Sequence, residues 1–181
     1  MLKTRIRKWC LLLLLLGCCM GVQAQYSMGN TGLLNIPTAD MQKAGTFMGG
    51  GNYLPNGMTP FNFNTGNYFV NITFLSFLEL SYRCTLLKTT RYDGKKRYFQ
   101  QDRSLSARIR PIEEGKYHPA IVIGTNDPFK DTGTNYFATI YGVLTKGFSI
   151  AKGDRLTLTA GYYLPLNKHS IQDGPFGGIS Y

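Results

Sequence analysis

Glu113 and Glu114 are the one pair of adjacent carboxylates in the central turn region. Acid–base catalysis needs two carboxyls facing one bond, and neighbours in an extended stretch point apart. They read as turn charges. His118 and His169 are the only histidines, they fall in different turns, and neither has a metal-ligand or triad spacing beside it. Asp127 and Asp131 share a loop, but the dense oxygen pattern of a calcium site is missing. Cys84 alternates with apolar residues, which suits a small buried or lipid-facing hydrophobe rather than a nucleophile. No catalytic residue, metal site or cofactor is therefore expected. Lys88, Arg91, Lys95, Lys96 and Arg97 cluster in a polar stretch that reads as a long loop from Lys88 to Asp102. A charge run is first a solvated face. The functional alternative is contact with an anionic polysaccharide or lipopolysaccharide phosphates, with Tyr92, Tyr98 and Phe99 as stacking partners.

The elements that must position these residues are strands. The central stretch Asp102–Phe129 reads as a hairpin. Leu105, Ala107 and Ile109 alternate with Ser106, Arg108 and Arg110, and Ala120–Gly124 forms the second arm. Pro111, Gly115 and Pro119 mark the turn between them. Thr46–Tyr53 is a weaker first strand, interrupted by Gly49, Gly50 and Gly51. Tyr68, Val70, Ile72 and Phe74 oppose a face of Phe69, Asn71 and Thr73, and Leu78–Leu86 opposes Glu79, Ser81, Arg83 and Thr85. Tyr136–Thr145 and Leu156–Leu164 continue the alternation around a turn at Lys146–Gly153, and Gly174–Gly178 reads as a closing loop. No convincing amphipathic helix is visible. With 21 Gly, 12 Tyr and 11 Phe, many short strands suggest a sandwich or barrel.

Residues 1–24 read as a cleavable export signal, with Lys3, Arg5, Arg7 and Lys8 before Leu11–Leu16 and a small-x-small site at Val22–Ala24. The alternative is a lipoprotein, with Leu15–Gly17 preceding a lipidated Cys18. Cleavage after Ala24 leaves Cys84 as the only cysteine, so no internal disulfide is expected. It also takes four of the 20 basic residues, leaving sixteen against 10 acidic ones, a net +6. An exported chain with no basic helix is not read as a nucleic-acid binder. Residues 25–45 form a lead-in, with Thr38 capping a helical turn over Ala39–Lys43. The chemistry favours packing of this segment against the first strand over the alternative, a segment tucked into a barrel lumen. Residues 46–181 make the sheet.

Two architectures share these strands, a half-solvated soluble sheet and a membrane barrel. The better strands approach the ~9–11 residues of a tilted spanning strand. Longer and shorter connections alternate, and tyrosines sit near several strand ends. The expected fold is therefore an all-β, antiparallel up-and-down outer-membrane β-barrel, complete or the N-terminal part of a larger one. Its polar, lumen-facing residues would include Asn71, Thr73, Arg83, Arg108 and Arg110.

Longer motifs extend this reading. Gly32–Ala39 with Met41 and Gly45–Thr46 resembles the opening G-L-I-x-x-P-T-A-x-M-x-x-x-G-T of the YjbH family, whose members are exopolysaccharide-biosynthesis outer-membrane proteins related to the capsule protein GfcD. Phe77–Ser81 with Arg83 resembles the family's F-L-E-V-S segment. Asp102–Ser104, Glu114–Gly115, Pro119–Ala120 and Ile123–Gly124 resemble its central hairpin. Gly174–Gly178 resembles its N-P-F-G-G, with Gly174 in place of Asn. The resemblance implies a non-enzymatic outer-membrane barrel for exopolysaccharide or capsule biosynthesis and export. Its implied partners are outer-membrane lipid, the polysaccharide and export-machinery proteins. Family members are longer, which implies an incomplete barrel here, whereas the terminal Tyr181 resembles the aromatic end of a complete one. The competing function is a small general porin or structural barrel with no polysaccharide role.

Overall fold

The computed structural model describes residues 26–55, 64–90, 94, 96–129, 137–151 and 154–181; at 87–90, 96–102 and 151 it describes the backbone path alone. Residues 1–24, expected above to be an export signal, lie outside the described residues, as do Arg91, Tyr92, Lys95 and Asp131.

Strands β1 (Gly32–Leu33) and β2 (Ile36–Pro37) make a short hairpin. Eight longer strands follow: β3 (Thr46–Leu54), β4 (Thr65–Leu75), β5 (Leu78–Thr90), β6 (Lys96–Ile112), β7 (Ala120–Asn126), β8 (Thr139–Ala151), β9 (Asp154–Pro165) and β10 (Gly174–Ser180). Each pairs antiparallel with the next in sequence, giving a single up-and-down sheet shaped as a half-barrel, with β3 and β10 at its edges. The connections 55–64, 91–95, 127–138 and 166–173 share one end. Those at 76–77, 113–119 and 152–153 share the other, where the chain also enters β3.

The period-two pattern sorts side chains as expected, but the faces are inverted relative to a soluble domain. On β4, Thr65, Asn67, Phe69, Asn71 and Thr73 are buried while Tyr68, Ile72 and Phe74 are exposed. On β5 and β6, Glu79, Ser81, Arg83, Thr85, Ser104, Ser106 and Arg108 are buried, and Leu80, Tyr82, Leu105 and Ile109 are exposed. A smaller apolar cluster of Ala120, Val122, Tyr141, Val143 and Tyr163 lines the concave side of β7–β9, and Ala39 packs into it. Cys84 points to the convex face with Leu80 and Tyr82, yet it is buried beside its register partners Tyr68 and Arg103.

Several expected boundaries move. The polar stretch Lys88–Asp102 is not one long loop. Lys88 belongs to β5, Lys96 and Arg97 belong to β6, and the ladder pairs Lys88 with Tyr98 and Thr90 with Lys96. β6 continues through Pro111, whose missing N–H falls where the β6–β7 register shifts, between Ile109 and Ile112. β8 and β9 run through most of the expected turn at 146–153. Gly174–Gly178 is strand rather than loop, paired with Tyr163 to Thr159. Pro175 is tolerated there because β10 is an edge.

The lead-in departs most. No helical turn forms at 39–43. Instead Thr38 Oγ1 accepts the Asp40 N–H at 3.4 Å. Residues 26–43 also do not simply rest on the first strand. They thread the concave face from Tyr26, beside Tyr163 and Gln172 near the 166–173 connection, down to Asp40, beside Arg108 and the 113–119 connection. The concave face is mostly polar, and a polar backbone can bond to it as an apolar segment could not.

Candidate functional site

The concave wall and the segment crossing it hold most of the buried charge and hydrogen bonding among the described residues. Glu79 is their centre. Alternation aims it inward from β5, and the register sets it opposite Arg108 of β6. Its carboxylate accepts from Thr31 N–H at 2.9 Å, Thr31 Oγ1 at 3.0 Å and Asn71 Nδ2 at 2.8 Å, and Arg108 Nε lies 3.5 Å away. Neither side chain of the Glu79–Arg108 pair has any solvent exposure. A buried charge persists only when it is paired and hydrogen-bonded, and both conditions hold here. Arg108 also donates to the carbonyls of Thr31 (2.8 Å) and Asp40, tying two points of the segment to one guanidinium.

Higher on the wall, Ser81 Oγ donates to Asn30 Oδ1 at 2.6 Å, Asn71 Nδ2 to the Gly29 carbonyl at 2.9 Å and Asn67 Nδ2 to the Ser27 carbonyl at 2.6 Å. Arg83 donates to the Met28 sulfur, and its guanidinium lies 4.4 Å from the centre of the Phe137 ring. On the other flank Thr145 Oγ1 accepts the Ala39 N–H at 2.7 Å and contacts Thr159 Oγ1 at 3.0 Å. Five strands thus hold the segment: β4, β5, β6, β8 and β9.

Of the residues singled out from sequence, the structure brings Asn71, Arg83 and Arg108 together around this segment. Thr73 is buried on the same face, and its carbonyl accepts Gly45 N–H at 2.7 Å. Arg110 stands apart at the 113–119 end, donating to the Ser76 carbonyl at 2.9 Å and pairing with Glu113 at 3.2 Å. Lys88, Lys96 and Arg97 sit in the ladder of β5 and β6 rather than in a shared loop. Glu79, Thr31 and Asn30 were not singled out. Glu79 shares a face with Arg83 in the alternation, but its pairing with Arg108 depends on a cross-strand register that no single strand reveals.

The turn charges are organised. Glu114 bonds the Gly147 N–H at 3.0 Å, lies 3.4 Å from Lys146 and pairs with Arg155. Partial burial pushes its carboxyl up, but the Gly147 amide, Arg155 and Lys146 outweigh this and hold it below the usual carboxylate range. Glu113 and Glu114 therefore serve different cations. A cleft of about 530 Å³ opens between them, Arg110, Lys116, Arg155 and Asp40. His118 and His169 lie at opposite ends of the sheet. Among the described residues no three His, Cys, Asp or Glu side chains converge as a metal site would require.

No curated protein and no solved structure matches the chain. The family model YjbH, described as "Exopolysaccharide biosynthesis protein YbjH", matches residues 24–167. That span holds the whole threaded segment, the Glu79–Arg108 pair and strands β3 to β9, so the chain belongs to the YjbH family of exopolysaccharide biosynthesis proteins.

Proposed function

We propose that this chain forms the wall of an outer-membrane β-barrel that takes part, without catalysis, in producing or exporting an exopolysaccharide or capsule. The observation that carries the reading is the inverted polarity of the sheet. Arg83, Arg108, Glu79 and Asn71 are buried, whereas Phe47, Phe74, Ile123, Leu144, Phe148 and Leu164 are exposed. In water this would leave a large apolar surface uncovered. In a bilayer the apolar convex face meets lipid, and the polar face lines the interior. The connections at 76–77, 113–119 and 152–153 are shorter on average than those at the other end, although 113–119 is longer than 91–95, and this supports the same orientation, with the shorter set on the periplasmic side. Residues 1–24 supply the export signal and leave at Ala24.

The segment 26–43 fills part of the concave face, which favours a gated or assisted conduit over a general diffusion pore. Fractionation of cells, with boiled and unboiled samples compared on a gel, tests the membrane reading. A faster-migrating unboiled band from outer membranes supports it, and recovery of soluble protein from the periplasm overturns it. Loss of extracellular polysaccharide on deletion, restored by the intact gene, tests the role. Unchanged secretion overturns that part.

A further inference from the structure

The connection 113–119 is longer than its end of the sheet requires. β4–β5 and β8–β9 turn there in two residues each, at 76–77 and 152–153, whereas β6–β7 takes seven. Those seven are held in place. Lys146 Nζ donates to the carbonyls of Gly115, Lys116 (3.2 Å) and His118 (3.5 Å). The Gly115 N–H donates to the His118 carbonyl at 3.1 Å, and Glu114 accepts the Gly147 N–H at 3.0 Å. A surface ordered in advance avoids the loss of freedom that a mobile loop suffers on binding. The cleft of about 530 Å³ lies between this connection, Arg155 of β9 and the foot of the threaded segment at Asp40.

The cleft is open to solvent, with Glu113, Lys116, Arg155 and Asp40 all exposed. Ala39 and Ala120 are its only apolar side chains, so a lipid tail would find no surface to bury against. Small-molecule sites span about 300–1,000 Å³, and this one exceeds what a lone ion fills. Its carboxylates are mostly committed. Glu114 is shared by Gly147, Lys146 and Arg155, and Glu113 pairs with Arg110. The cations are not. Arg110 and Arg155 bond through Nη2 alone, so Nε and Nη1 of both guanidinium groups make no hydrogen bond among the described residues. Lys116 Nζ lies 5.2 Å from the Tyr117 ring and meets no carboxylate among the described residues. A guanidinium edge with free N–H groups matches a carboxylate in two parallel bonds. Against this stands Asp40, the one carboxylate of the cleft with no ion pair among the described residues.

We propose that the cleft binds an acidic sugar unit of a polysaccharide chain, with Arg155 and Lys116 taking its carboxylate and Arg110, Glu113 and Asp40 its hydroxyls. Sugar hydroxyls donate as well as accept, so they suit the guanidinium edge of Arg110 and the carboxylate oxygens beside it. The inference rests on the export reading above and adds the chemical class of the polymer and the place where it is met. In that orientation the cleft opens to the periplasm, at the foot of the polar concave face.

The test is calorimetric titration of the full-length protein in detergent micelles. The probe is the set of oligosaccharides released by partial acid hydrolysis of the producing cells' own extracellular polysaccharide, separated by anion exchange into acidic and neutral pools. The acidic pool should bind and the neutral pool should not. Lys116→Gln with Arg155→Gln should weaken binding about tenfold or more. Lys116→Gln alone, at an exposed side chain, should weaken it severalfold, and serves if the double variant loses its heat shift. Asp40→Asn keeps an oxygen acceptor and removes the unpaired negative charge, so it should tighten binding severalfold, a gain that a purely structural role for this rim would not produce. Equal binding of the two pools, a polysaccharide that yields no acidic pool, unchanged affinity in the variants, or no binding by wild type overturns the site. Heat shift and secretion read the export hypothesis separately. If both hold while any of these outcomes is found, only the site falls.

Discussion

Glu79 shows how this wall treats a charge that water cannot reach. The donors from Thr31 and Asn71 and the guanidinium of Arg108 surround it, so removing either member of the pair strands the other. Glu79→Ala or Arg108→Ala should lower stability by about 3–5 kcal/mol, measured as the urea midpoint of refolded protein in micelles. Glu79→Ala with Arg108→Ala removes both charges and should cost less than the two single changes summed. Additive costs would mean the pair is not coupled. Glu114 gives a pH prediction at the same scale. Its carboxyl is depressed in the folded state, so its contribution is full above the ordinary carboxylate range and fades as pH falls through the depressed value. Thermal unfolding followed from pH 7 downward should show an acid limb that Glu114→Gln flattens. An identical limb in the variant would remove Glu114 from the account of acid sensitivity.

At the scale of elements, the alternation of Leu78–Leu86 and of Leu105–Arg110 was legible because period two survives in a single strand, whatever its neighbours. Strand ends were less legible. Charged residues such as Lys88, Lys96 and Arg97 argue for a loop locally, but the β5–β6 ladder carries them because each backbone still finds its cross-strand partner. Gly174–Gly178 misleads in the same way, since glycine and proline signal turns everywhere except at an edge or a close approach. The threaded segment was not favoured because its partners are single polar side chains scattered over five strands, a pattern without period. Glycine placement yields a prediction here. A Cβ on Gly124 would lie 2.3 Å from the Tyr141 ring, whereas one on Gly142 meets nothing within 4 Å. Gly124→Ala should cost about 1–3 kcal/mol and displace Tyr141, while Gly142→Ala should be near neutral. Equal urea midpoints for the two would show that Tyr141 moves aside freely.

The whole molecule turns its polarity outside in, and that can be probed without reference to any ligand. Ile123→Lys and Leu144→Arg place a charge on the convex face. In a bilayer each should cost about 2–4 kcal/mol near the midplane and lower refolding yield into vesicles. On a water-facing sheet each should change stability by less than about 0.5 kcal/mol. Guanidinium unfolding in vesicles and in detergent separates the two cases. The threaded segment also orders events in time. Tyr26 meets Tyr163 across 137 residues of sequence, and Thr31 meets Glu79 across 48. The segment 26–43, made before the sheet, is therefore among the last parts to find its full set of partners. Until β4 to β9 have paired, Thr31 and Asn30 have no wall to bond, and until the segment arrives Glu79 and Arg108 have only each other and Asn71. Assembly should show a slow final phase in which the sheet is paired but the thread is not yet seated, and a chaperone acting on that phase would recognise an exposed polar wall rather than an exposed apolar one.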